Sequence, residues 1–139
     1  MQASSGRLMA IRVVLWIGLV LAALWGVAGL VFPASLHDAI APTNEPFNSS
    51  HNAASLTIGA LALAWAFALA MAIRWPLQSP GLLLAITAAM LIIGIVGVYV
   101  TAFVSERPTA LTWGTDGLLI ALGVALALLL FIPRGSEAP

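Results

Sequence analysis

The side chains best suited to chemistry in this chain are two imidazoles and a few carboxylates. Most of them fall in one polar stretch, which carries His37, Asp38, Glu45 and His51, and Asp116 stands apart. Imidazole and carboxylate groups together could bind a divalent metal or act as general acid and base. Their spacing favours neither use, because His37 and His51 lack the i, i+4 separation that places two ligands on one helix face. We predict no metal, no cofactor and no catalytic residue, and treat His37, Glu45, His51 and Asp116 as candidate ligand-binding residues.

Four long apolar segments must position these groups. Residues 13–32, 53–73 and 81–104 contain no acidic or basic side chain, and residues 111–132 contain only Asp116. Each segment is close to the roughly 20 apolar residues that cross a hydrocarbon layer about 30 Å thick. Hydrophobic residues make up 62% of the chain and charged residues 7%, against about 45–50% and about 25% in soluble proteins.

The fold expected from this pattern is an all-α polytopic membrane protein, a single four-transmembrane-helix bundle. We place its helices at approximately 9–32, 53–73, 81–104 and 111–132, with an outer loop over residues 33–52. The basic start before the first apolar run also resembles a signal peptide. That run is longer than the roughly 7–15 residues of a signal h-region, so we expect the first helix to be retained.

The arginines predict the orientation of the bundle. Arg7, Arg12, Arg74 and Arg134 lie on one side if all four segments span, and Arg107 lies on the other. Because basic residues near short loops stay cytoplasmic, both termini are predicted to face the cytoplasm. Five arginines without a lysine, in an Ala- and Leu-rich chain, suggest a GC-rich bacterial genome and hence a bacterial inner membrane. The formal net charge of zero gives no indication of nucleic-acid binding.

Small residues recur every four positions along the apolar segments. Between helices in lipid, such residues permit the close backbone approach that drives association. We predict helix packing at seven of them: Gly18, Ala22, Gly26, Gly94, Gly97, Gly117 and Ala121. An additional alanine stripe, from Ala60 to Ala72, could serve a partner or a second copy.

Polar groups at membrane depth are few. The residues concerned are Thr57, Thr87, Tyr99 and Thr101. A threonine hydroxyl can donate to the carbonyl four residues earlier in its own helix, so these threonines require no ligand.

Two features allow two interpretations each. Asp116 either caps the N-terminus of the fourth helix or forms one wall of a shallow outer pocket. The stretch 33–52 is either a functional loop or a solvated cap with a short interfacial helix around Ser35 to Ile40.

The order of these parts resembles a known group. A Gly-containing first helix ends at Phe32-Pro33, a polar loop carries two prolines, the next turn is Arg74-Trp75-Pro76, and Asp116 opens the last helix. This layout resembles the DoxX-like and related small four-helix bacterial membrane proteins. The arginine often found at the start of their second helix is absent, and His51 and Asn52 stand there instead. The resemblance implies an inner-membrane bundle, often an accessory of another system, and carries over no catalytic residue.

Three functions follow as alternatives. The first is a non-enzymatic accessory subunit or a lipid- or partner-binding bundle, whose partners are the bilayer and a membrane protein or a second copy. The second is a membrane enzyme, or a binder of a small hydrophobic, quinone-like ligand at the outer mouth. The third is an oligomeric small-molecule transporter, although the first helix lacks the intramembrane carboxylate that couples small four-helix exporters to protons.

Overall fold

Five α-helices make up the computed structural model, which describes residues 5–40, 47–76, 79–105 and 108–131. They are α1 (Ser5–Val31), α2 (Pro33–Ile40), α3 (Ser49–Arg74), α4 (Pro80–Phe103) and α5 (Ala110–Phe131). Among the described residues, all of these helices except the short α2 are long and apolar enough to cross a membrane. The predicted all-α chain with four spanning helices packed as a bundle is therefore confirmed.

Local signals explain where the helices begin. The Asn48 side chain accepts a hydrogen bond from the His51 backbone N–H at 3.0 Å, so α3 begins four residues before the apolar run does. Pro80 opens α4, where its fixed φ suits the first helical position. At the start of α5, the Thr109 and Thr112 hydroxyls each accept from the other residue's backbone N–H, at 3.3 and 3.2 Å. This reciprocal pair satisfies two backbone donors, as a capping box does.

The spanning helices form two antiparallel pairs, α1 with α3 and α4 with α5. In the first pair, a Cβ added to Gly29 would lie 2.8 Å from Gly59 Cα and 2.8 Å from the Ser55 carbonyl oxygen. In the second, a Cβ added to Gly94 would lie 3.0 Å from the Ile120 backbone nitrogen. Both pairs therefore bring backbones into near contact, which only glycine permits at these crossings.

Five of the predicted packing glycines and alanines lie in or beside these contacts. Gly18, Ala22, Gly26 and Gly94 are buried, and Gly97 is half-buried. The structure differs from the prediction at Gly117 and Ala121, which are exposed, and a Cβ on Gly117 would meet nothing within 4 Å. Gly123 makes the close contact of α5 instead, with its added Cβ 3.2 Å from the Leu91 backbone nitrogen. Gly117 and Ala121 therefore lie on a different face of α5 from the one that contacts α4.

The two pairs share a core at only one end. The fully buried large side chains lie nearer the end where α1 and α4 begin and α3 and α5 end; they are Ile11, Leu15, Leu69, Leu83, Ile86, Met90 and Leu126. We call this the Arg7 end, and the opposite end, which carries α2, the α2 end. Toward the α2 end, the buried positions of the spanning helices are small: Ala22, Gly26, Gly29, Ser55, Gly59, Gly94 and Thr101.

The exposure of α4 agrees with this division. Toward the α2 end, its large hydrophobic side chains are exposed on most of its circumference, namely Ile92, Ile93, Ile95, Val96, Tyr99, Val100 and Phe103. The remaining strip, which includes Gly94, Gly97 and Thr101, faces α5. α2 lies at this end and packs on α1, α3 and α5. In this half, therefore, each pair of helices packs mainly within itself.

Arg7 joins the first helix to the last. Its Nη2 donates to the Leu130 carbonyl at 2.9 Å, and its Nε donates to the Leu129 carbonyl. The last carbonyls of a helix have no partner within the helix and form the negative end of its dipole. A guanidinium there satisfies two acceptors and is favoured electrostatically, so it fastens the Arg7 end of the bundle.

Candidate functional site

The two histidines meet at the α2 end. His37 lies in α2 and His51 in the first turn of α3, and their rings stack with centroids 4.3 Å apart and planes 22° from parallel. The Phe47 ring packs edge-on against His37 at 5.6 Å and lies 6.1 Å from His51. The sequence argument left open either a loop or a short helix around Ser35 to Ile40 and gave no reason for the rings to meet. They meet because α2 folds back onto α3.

One nitrogen of each imidazole is enclosed without a partner. His37 Nε2 and His51 Nδ1 are buried and make no hydrogen bond to any residue that the structure describes. A buried polar group without a partner costs about 1–3 kcal/mol, so such atoms are uncommon in native proteins. The pair therefore leaves two buried imidazole nitrogens without hydrogen-bond partners where α2 packs on α3.

Asp116, the other described candidate residue, lies apart from this cluster. Glu45 lies outside the described residues. Within the described ranges, no three His, Cys, Asp or Glu side chains are grouped so that they could hold a metal ion. What the described residues bring together is an aromatic cluster of two imidazoles and a phenyl ring.

Asp116 forms a separate contact between α4 and α5. Its Oδ2 accepts a hydrogen bond from the Thr101 hydroxyl at 2.9 Å, and Thr101 is only 4% exposed. A Cβ added to Gly97 would overlap Asp116 Oδ1 and lie 2.6 Å from its Cγ, so glycine makes the notch that receives the carboxylate. The N-cap interpretation of Asp116 is wrong, because α5 begins at Ala110, well before it.

Sequence reasoning missed the partners of Asp116, although a signal for them was present. Gly97 and Thr101 stand four residues apart on α4, so they share a face. A short connection between α4 and α5 makes the two helices antiparallel neighbours. That register places a small residue and a hydroxyl opposite the only acid in the fourth apolar segment.

The remaining threonines are satisfied as predicted. Thr57 and Thr87 donate to the carbonyls of Ala53 and Leu83 at 2.8 and 2.7 Å, each within its own helix. Thr101 differs because the Asp116 carboxylate, a stronger acceptor than a carbonyl, lies within reach. Among the described spanning residues, these threonines therefore have partners inside the protein.

Aromatic and basic side chains mark both ends of the bundle. At the Arg7 end, the Arg74 guanidinium carbon lies 4.8 Å from the Trp75 ring centroid. Toward the α2 end, Tyr99 and Phe103 pack with ring centroids 5.4 Å apart, and Trp113 is exposed. Amphipathic aromatic rings prefer the zone of the lipid headgroups, which suits spans bounded by these residues.

No protein-family model, curated protein or solved structure matches the chain. The resemblance to DoxX-like proteins rests on the order of the parts alone. Four long apolar helices in a small protein are the portion of that layout that the structure bears out.

Proposed function

We propose that this protein is a non-catalytic membrane subunit that docks a transmembrane helix of a partner membrane protein toward the α2 end. The observation that carries this proposal is the uneven core, since large side chains are fully buried only toward the Arg7 end. Helices in lipid gain cohesion mainly from packing against each other. A half of the bundle that lacks a shared core therefore has the most to gain from an added helix.

The surface of α5 supports a helix as the partner. Gly114, Gly117 and Ala121 are exposed on the single chain, and a Cβ on either glycine would meet nothing within 4 Å. Small residues at such spacing let a neighbouring backbone approach closely, whereas lipid tails gain nothing particular from them. The internal bonding of Thr57, Thr87 and Thr101 agrees with a binding role rather than a polar reaction centre.

Site-specific photo-crosslinking tests this proposal. A photoreactive benzoylphenylalanine would replace Leu118, which is exposed beside the Gly114–Ala121 stripe, in the full chain in its native membrane. The matched control replaces Leu128, an exposed leucine of the same helix toward the Arg7 end. We expect irradiation at position 118 to give a discrete protein adduct, identifiable by mass spectrometry, and position 128 to give lipid adducts only.

Lipid adducts of similar yield at both positions would contradict a docked partner helix. A discrete adduct at position 128 alone would place any partner at the wrong end and contradict the proposal equally.

A second candidate is favoured by one observation. His37 and His51 converge at the α2 end, as a binder of a small hydrophobic, quinone-like ligand would require. Two imidazole nitrogens beside an aromatic ring offer hydrogen bonds and a stacking surface to a flat polar headgroup. A benzoylphenylalanine in place of Phe47, whose ring lies beside both imidazoles, tests this candidate, because its adduct would have a small-molecule mass.

We also propose that the protein lies in a bacterial inner membrane with both termini in the cytoplasm. Arg7, Arg12 and Arg74 support this orientation, since all three belong to the Arg7 end and basic residues stay cytoplasmic. The chain has no cysteine, so single cysteines report cleanly. In spheroplasts, a membrane-impermeant maleimide should label Ser49→Cys and leave Ser5→Cys unlabelled until lysis. The reverse labelling pattern would invert the topology.

A further inference from the structure

α2 is short and has one buried side chain. It has eight residues, well below the roughly 12–15 at which an isolated helix becomes marginally stable in water. Leu36 is its only buried residue. Backbone hydrogen bonds from Phe32 to Ala28 and from Leu36 to Phe32, both 2.9 Å, connect it to the end of α1. Beside its packing on α1 and α5, α2 contacts α3 through the stacked rings of His37 and His51.

We propose that α2 is a pH-sensitive cover over the α2 end, and that the imidazole stack is its latch. Neutral imidazoles stack favourably on each other and on Phe47, as aromatic rings do. Imidazole is the side chain that changes charge between about pH 5 and pH 8. Acidification then releases α2 from α3 and uncovers the parts of α1, α3 and α5 on which α2 packs.

The geometry makes the latch sensitive to charge. Two protonated rings at a centroid distance of 4.3 Å would repel each other, as like charges this close do. A proton added at His37 Nε2 or His51 Nδ1 would also create a buried N–H without an acceptor among the described residues. The closed position therefore offers no acceptor among the described residues for a proton on either enclosed nitrogen.

The charged groups around the stack do not offset this penalty. On α2 itself, Asp38 is exposed. On α5, the Asp116 carboxylate is engaged by the Thr101 hydroxyl. The neighbouring parts of α1 and α3, residues 13–31 and 52–73, carry no acidic or basic side chain. Within the described residues, neither carboxylate makes a hydrogen bond to an imidazole.

Distance measurement between spin labels tests the cover. The cysteine-free chain allows labels on Ala39→Cys in α2 and Ala54→Cys in α3, both exposed positions, with the full protein in lipid nanodiscs. At about pH 8 we expect one narrow distance distribution. At about pH 5, beyond the titration range of imidazole, the mean should lengthen by at least about 5 Å, one helical turn. An unchanged distribution at both pH values would overturn the proposal.

Variants of the latch separate charge from packing. His51→Phe keeps a stacking ring that cannot be protonated, so α2 should stay closed at both pH values; His37→Phe is the equivalent should the first fail to fold. His37→Ala removes the stack and should give the long distance at both. Opening of the Phe variants on acidification, as in the native sequence, would place the pH response elsewhere and refute the latch. Because no partner is added, this result is independent of the crosslinking at Leu118.

Discussion

Gly59→Ala is expected to destabilise the protein by roughly 1–3 kcal/mol, the usual cost of overpacking, although alanine is the better helix former. The added Cβ would lie 2.9 Å from Gly29 C and 2.9 Å from the Leu30 backbone nitrogen. These are main-chain atoms, which cannot rotate aside as a side chain can. The α1–α3 pair would have to separate, and thermal unfolding followed by circular dichroism in nanodiscs measures the loss.

The control is the same substitution at a glycine that touches nothing. Gly117 lies within α5, and a Cβ there meets no atom within 4 Å. Gly117→Ala should therefore be neutral or stabilise by up to about 1 kcal/mol, the difference in helix propensity. Opposite signs at the two positions identify backbone contact as the cause. An equal loss at both would mean that glycine matters here for another reason.

Thr101→Val is expected to lower stability by about 1–3 kcal/mol, because the Asp116 acceptor would be left without its donor. Valine matches the shape of threonine but cannot donate to Asp116 Oδ2. The carboxylate lies directly against Gly97. Chemical or thermal unfolding of the reconstituted protein measures this effect.

Two further variants test whether the loss of stability at Thr101 comes from its hydrogen bond to Asp116. Thr101→Ser retains the hydroxyl and should recover most of the stability. Thr57→Val should cost little, since the Thr57 hydroxyl bonds to its own helix at an exposed position. Equal effects at Thr57 and Thr101 would show that the Asp116 contact contributes no more than an ordinary helix-internal bond.

Sequence alone predicted the number of spans because the length of an apolar run is a local property. It could not choose among the small-residue stripes of α5, since Gly117 and Ala121 repeat every four residues as well as any true interface does. The contact at Gly123 depends on how α5 is rotated against Leu91 of α4. That rotation is set by side chains on both helices together.

The sequence predicted which residues belong to the candidate site but not how they are arranged. His37 and His51 were identified by residue type, but their stacking depends on α2 folding back onto α3, a non-local event. Asp116 was also identified, and the N-cap role that was one of its two interpretations is excluded because α5 begins at Ala110, directly after Thr109. In both cases the sequence did not reveal a partner distant along the chain.

The Arg7 contact has a consequence for biogenesis. Leu129 and Leu130, whose carbonyls accept hydrogen bonds from Arg7, are translated after α1, α3 and α4. The Arg7 guanidinium therefore cannot make these bonds until α5 has been synthesised. Until then, water and anionic lipid headgroups are the groups available to hydrogen-bond with it. The Arg7 contact between the first and last helices can therefore form only once α5 has entered the bilayer.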